Sequence, residues 1–186
     1  QMINDLTQDT EKKMRASIDH LHHELGKLRT GQASIALVDD LKVDYYGNPT
    51  PLSQVATLGT PDSQTLTIQP WEVSILKDIE KAIQSSDIGL TPNNDGKMIR
   101  LTIPPLTNDR RQQLVKLVKK YSEDCKIAVR NVRRDGNDKL KKLEKNHEIS
   151  EDESHRAGDD IQKMTDKFVS EIDKVAQMQE KNVMDV

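Results

Sequence analysis

One cysteine, Cys125, is all the chain contains, and that excludes an internal disulfide and every multi-cysteine metal site. On a helix Cys125 falls among apolar neighbours, so a small buried hydrophobe is its expected role. Aromatic residues are scarce at 3%, and the apolar fraction is 34% against 32% charged. Compact cores with wide sheets need more apolar surface than that. Long helices packed along narrow seams need less, because most of each helix stays wet. No apolar run approaches membrane-spanning length, and no charged-then-apolar leader opens the sequence. Met2 reads as a natural start, and a cytoplasmic protein of a reducing compartment is expected, with no membrane partner.

Signatures of chemistry are missing too. There is no phosphate-binding glycine loop, dinucleotide fingerprint, serine elbow or Cys/His nucleophile pattern, and Gly89, Gly96 and Gly136 stand alone. His20, His22 and His23 cluster at helical spacing, but without an HExxH pattern they read as solvated histidines rather than zinc ligands. Glu151, Asp152 and Glu153 suit a helix start better than an acid/base pair. The expectation is therefore a protein with no catalytic residue, no metal and no cofactor.

What is present is charge, unevenly placed. The formal net charge is −3, yet residues 110–145 hold thirteen Lys/Arg against five Asp/Glu, a local +8 that leaves −11 for the remainder. On a helix at about 100° per residue, Leu114, Leu117, Val118, Tyr121, Cys125, Ala128, Val132 and Leu143 fall within about 60° of one line through Val132. Lys119, Lys126, Arg130, Arg133 and Lys141 fall roughly 100–180° away. One flank is an apolar seam; the other is a row of cations. Such a row is often just a solvated face. Here Arg130, Arg133 and Arg134 crowd five positions, and the guanidinium fork suits bidentate phosphate contacts. With no aromatics interleaved, backbone and shape contacts to folded RNA fit better than base stacking.

The rest of the chain gives this rod its context. Ile3, Leu6, Thr10, Met14, Ile18, Leu21, Leu25 and Leu28 predict a helix of about 40 Å ending at Thr30-Gly31. Residues 32–104 change texture. Strands are predicted at 43–46, 65–69 and 98–103, turns at 47–51 and 94–96, and a short helix capped by Ser74. Pro104 and Pro105 close that segment, and Thr107 is placed to cap a rod over 108–145. Gly136 near its seam costs about 1 kcal/mol unless a neighbour approaches closely. Ser150 and Glu153 form a capping box for a last helix with Ala157, Ile161, Met164, Phe168, Ile172, Val175 and Met178 as its seam. The fold class is α+β: a long antiparallel three-helix bundle (1–30 and 106–186) with an inserted small β/α/β domain (31–105). Two short tethers, Thr30, Gly31 and Gln32 with Ile103, Pro104, Pro105 and Leu106, predict a hinge. A helical scaffold or chaperone with a globular head is the alternative, and a histidine-based hydrolase a distant third.

Six blocks carry a resemblance: LRTGQAS (28–34), VDYYGNPTPL (43–52), KAIQSSDIGL (81–90), IPPLT (103–107), VRNVRRD (129–135) and EISED (148–152). In order and spacing they closely resemble the ribosome recycling factor family, across essentially the whole chain. The resemblance implies an L-shaped monomer with a flexible elbow. It implies binding to the post-termination ribosome, against large-subunit rRNA across the A and P sites. With elongation factor G, and GTP bound by that factor, such a protein splits the ribosome into subunits. Carried over by motif, Arg130, Arg133 and Arg29 would face rRNA, with Lys126, Arg134, Lys119 and Lys141 beside them. Two positions depart from the pattern. Gln32 replaces the arginine of LRTGRAS, which weakens an elbow contact, and Gly136 replaces the alanine of RRDAND.

Overall fold

The computed structural model describes residues 2–185 and shows two compact units, residues 2–28 with Asp109–Asp185, and Arg29–Asn108. In chain order the α-helices are α1 (Met2–Gly26), α2 (Leu76–Ser85), α3 (Asn108–Lys145) and α4 (Glu151–Met184). The strands are β1 (Lys42–Tyr45), β2 (Asn48–Pro51), β3 (Ala56–Asp62), β4 (Thr65–Pro70), β5 (Pro92–Asn94) and β6 (Ile99–Thr102). No described helix is long and apolar enough to cross a membrane.

The first unit is α1, α3 and α4 sharing one apolar core. Met14, Ile18, Leu21 and Leu25 of α1 meet Val118, Cys125, Val129 and Leu140 of α3 and Ala157, Ile161, Phe168 and Ile172 of α4. The three-and-four spacing of these residues makes each helix amphipathic, and burial of that stripe holds it in place. α1 ends at Gly26, short of the expected Thr30-Gly31. Glycine is a poor helix former, and the next amides close tighter turns, Lys27 to Glu24 and Leu28 to Leu25. Met178 is 64% exposed, so the α4 seam leaves it out and closes on Val183. Ser150 accepts from the Glu153 amide while Glu153 accepts from the Ser150 amide, completing the capping box. Thr10, Ser122 and Thr165 are buried, and each hydroxyl donates to the carbonyl four residues back. Among the described residues no buried side-chain nitrogen or oxygen lacks a hydrogen-bond partner.

The α3 seam is wider than the line through Val132. Arg111, Ser122, Val129, Gly136 and Leu140 are buried, and they lie roughly 40–80° round from that line. Two helices pack on α3 instead of one, which broadens its buried arc. Gly136 shows why. A Cβ there would stand 3.2 Å from Thr10 Oγ1 and 3.3 Å from Ile161 Cδ1, so all three helices converge, and α3 runs through Gly136 unbroken.

The second unit holds a four-stranded antiparallel sheet, β3-β4-β6-β5, a β1-β2 hairpin and α2. Its core joins Val43, Leu52, Leu66, Ile68, Ile79, Ile83, Ile99 and Leu101. The stretch expected as a turn at 47–51 is mostly strand. The turn is Tyr46-Gly47, both at positive φ (51° and 84°), and Asn48–Pro51 pairs back on β1. Strands β3 and β5 are additional to those that the sequence predicts. Ser74 does not cap α2; Val73–Ile75 forms a 3-10 turn after Glu72 and leads directly into the helix.

Candidate nucleic-acid interface

The cations of α3 do not share one environment. Arg134, Lys119 and Lys141 are exposed, and Arg130 and Arg133 are half-buried. The turn of the buried arc explains this: it brings Arg133 and Lys126 to the border with α4. Arg133 Nη1 makes a long 3.5 Å contact to Gln162 Oε1, and Gln162 in turn donates to Asp166 at 2.9 Å. Lys126 goes further. Its ammonium lies 2.5 Å from Asp173 and 3.9 Å from Glu123, with 18% of the side chain exposed. It forms one wall of a groove between α3 and α4 of about 620 Å³, lined also by Lys116, Lys119, Lys120, Gln177 and Glu180. Its charge is matched within the protein, so it ties α4 to α3 and adds little to an anion-facing row. Among the described residues no hydrogen bond or ion pair engages Arg130, Arg134, Lys119 or Lys141. Those four are available to an external polyanion.

Arg29 stands apart. It belongs to the sheet unit, where its Nη2 donates 3.3 Å to the Asp87 carbonyl beside Gly89. The tether residues are also resolved individually. Gly31 adopts φ 79°, and a Cβ there would lie 2.9 Å from Leu106 Cγ, so the two chain passages run side by side. The Ala33 amide donates to Ser63 and the Ile103 amide to Gln64, both at 2.7 Å, which anchors both passages to the β3–β4 turn. Ile103 is 5% exposed and part of the sheet core, so it is a fixed point; Pro104 and Pro105 are exposed. Thr30, Gln32 and Leu106 are half-buried.

The histidines lie elsewhere. His22 and His23 are exposed, and His20 lines a cavity of about 450 Å³ between α1 and α3 with Leu21, Glu24, Tyr121, Asp124 and Cys125. Among the described residues no group of three or more His, Cys, Asp or Glu is placed to hold a metal. Burial pushes the Cys125 thiol up to about 11, and its Sγ sits 3.4 Å from the Ser17 carbonyl. Arg111 was counted in the basic segment but is buried, its Nη1 donating to the Val183 and Met184 carbonyls at 2.8 and 3.1 Å. It closes the end of α4, where free carbonyls gather. No sequence signal pairs two residues so far apart.

Comparison with known proteins gives the chain its relatives. The sequence model described as Ribosome recycling factor matches residues 21–184. The ribosome-recycling factor of Nitratidesulfovibrio vulgaris (strain DP4) is 56% identical over 178 residues, covering 96% of both chains. That of Geobacillus sp. (strain WCH70) is 53% identical over 185 residues and covers both chains fully. A solution structure of the ribosome recycling factor aligns with TM-score 0.82 and 39% identity, covering 100% of this chain and 99% of the other. A second match has TM-score 0.68 and 46% identity, covering 98% of each chain. It is the Thermus thermophilus factor, described with Escherichia coli elongation factor G bound to the Escherichia coli post-termination complex. Long helices with a sheet unit inserted between them in sequence place the chain in the α+β fold class of these translation-factor relatives. The chain belongs to the ribosome recycling factor family.

Proposed function

We propose that this protein binds the post-termination ribosome by laying α3 against large-subunit rRNA across the A and P sites. Arg130, Arg133, Arg134, Lys119 and Lys141 then contact phosphates. With elongation factor G and GTP hydrolysis by that factor, the complex splits into subunits, and this chain makes and breaks no covalent bond. The observation that carries the reading is that, among the described residues, Arg130, Arg133, Arg134, Lys119 and Lys141 have no carboxylate partner, whereas Lys126 on the same flank is paired with Asp173 of α4. Charges left without a carboxylate partner on a stiff helix suit a long polyanion, through fork-shaped contacts to phosphate oxygens. Two chain passages running side by side at Gly31 and Leu106 support a joint at Thr30–Gln32 and Pro104–Leu106. A joint there lets the motor factor move one unit while the other stays on the RNA.

The test is subunit splitting of model post-termination ribosomes with and without elongation factor G and GTP, comparing wild type with Arg133→Glu. Splitting that needs all components and falls in the variant is expected. Wild-type splitting by Arg133→Glu removes the assigned contact. A scaffold or chaperone that docks through its apolar seams would instead bind with little dependence on salt.

A further inference from the structure

Three of the five aromatic residues, Tyr45, Tyr46 and Trp71, lie in the sheet unit, and none is fully buried. The arrangement is specific. Tyr46 occupies the first turn position of the β1–β2 hairpin at φ 51°, a left-handed conformation that Asn or Gly adopts at lower cost. Tyr46 is 71% exposed, so the strain is not offset by burial. One carboxylate accepts both phenols: Tyr45 at 2.7 Å on Glu72 Oε1 and Tyr46 at 2.6 Å on Oε2. The rings stand edge to face with centroids 4.7 Å apart. Trp71 and Val73, on either side of Glu72, are 63% and 62% exposed, and the Trp71 indole donates to Thr57 at 2.8 Å. The donors of all three aromatics are thus satisfied internally, and what Tyr46 offers outward is a fixed ring face beside a carboxylate. A bulky side chain held in a costly conformation on the surface points to a function outside the fold's own stability.

The chemistry selects the occupant. The two phenols hold the Glu72 carboxyl below its usual range, first through Tyr46 and then Tyr45, so it is ionised at neutral pH. A carboxylate has about four lone-pair directions, and two remain. Residues 29–108 carry six Lys/Arg against nine Asp/Glu, a net −3 that repels phosphate. A cation is favoured over the ring face and beside the carboxylate together. We infer that the Tyr46–Glu72 platform is a docking point for an arginine-bearing segment of a protein partner, its guanidinium stacked on Tyr46 and paired with Glu72. This rests on the reading that the chain works on the post-termination ribosome, where the partner would be met.

The test uses the full chain with Tyr46→p-benzoylphenylalanine, photolysed on purified post-termination ribosomes with elongation factor G and GTP. A crosslink to an arginine-containing peptide, lost with Glu72→Gln, is expected; a crosslink to rRNA, or none, overturns the inference. Tyr46→Asn keeps the turn, relieves its strain and removes the ring face. It should melt no lower than wild type yet split ribosomes about ten-fold more slowly, on the scale of a lost aromatic anchor. Wild-type splitting by Tyr46→Asn overturns the inference while leaving the function itself intact. Failure of wild type to split the same ribosomes would instead strike the function.

Discussion

At Gly136 the helices leave room for a hydrogen atom, and Thr10 and Ile161 frame it at 3.2 and 3.3 Å from a notional Cβ. Gly136→Ala gains about 1 kcal/mol of helix propensity but must shift two neighbours by a few tenths of an ångström. Its urea midpoint should stay within about 1 kcal/mol of wild type, whereas Gly136→Leu should lose about 1–3 kcal/mol by overpacking. A leucine variant as stable as wild type would mean that the helices are further apart than the structure places them. The cations make the companion case. Lys126 is matched by Asp173 and Glu123, and Arg130 is not. Arg130→Ala should therefore lower the slope of log affinity against log salt by about 1, while Lys126→Ala leaves it nearly unchanged. Equal slopes for the two variants would erase the distinction. Periodicity in the sequence exposed the row of cations, because a face needs only spacing. It could not show which residues a neighbouring helix neutralises, since Asp173 and Lys126 meet only after folding.

Among elements, the helices were largely legible and the sheet was not. The Ser150–Glu153 capping box is local, with both partners three residues apart, so its pattern survives in the sequence. Ser150→Ala should cost about 1 kcal/mol in thermal or urea unfolding. Glu153 is held below its ordinary value of 4.5, chiefly by the Ser150 amide and then the Ser150 hydroxyl. A lowered folded pKa means that the unfolded chain takes up the proton first as pH falls. The stability from Glu153 is therefore complete above about 4.5 and lost on acidification through the folded value. Glu153→Gln should be the less stable protein at pH 7, with the gap to wild type closing below pH 4.5. A gap that does not change with pH rules out the carboxylate as its source. The β3 strand escaped notice because Gly59 and Pro61 look like breakers. Proline is tolerated at edges and irregular pairings, and β3 is the sheet's edge, with its register shifting between Gly59 and Asp62. β2 carries two prolines and survives for a similar reason, pairing only with β1.

For the whole molecule, the decisive question is whether the passages between the two units act as a joint. Glycine and proline mark both passages in the sequence, and the second is read there as Ile103 to Leu106. Ile103 belongs to the sheet core, because its amide is held by Gln64 and its side chain is buried. Proline carries no amide hydrogen, so Pro104 and Pro105 cannot extend the pairing of β6, and the anchored sheet ends there. A joint at Thr30–Gln32 and Pro104–Leu106 predicts a range of relative orientations in the free protein. Spin labels on Ser170→Cys in α4 and Lys97→Cys in the β5–β6 turn can read it, since both sites are exposed. Burial pushes the Cys125 thiol up to about 11, so at neutral pH reagents take the introduced thiols and leave it. A broad distance distribution in the free chain, narrowing when ribosomes are added, is the expected result. One narrow distribution, the same with and without ribosomes, would make the two units a single rigid body.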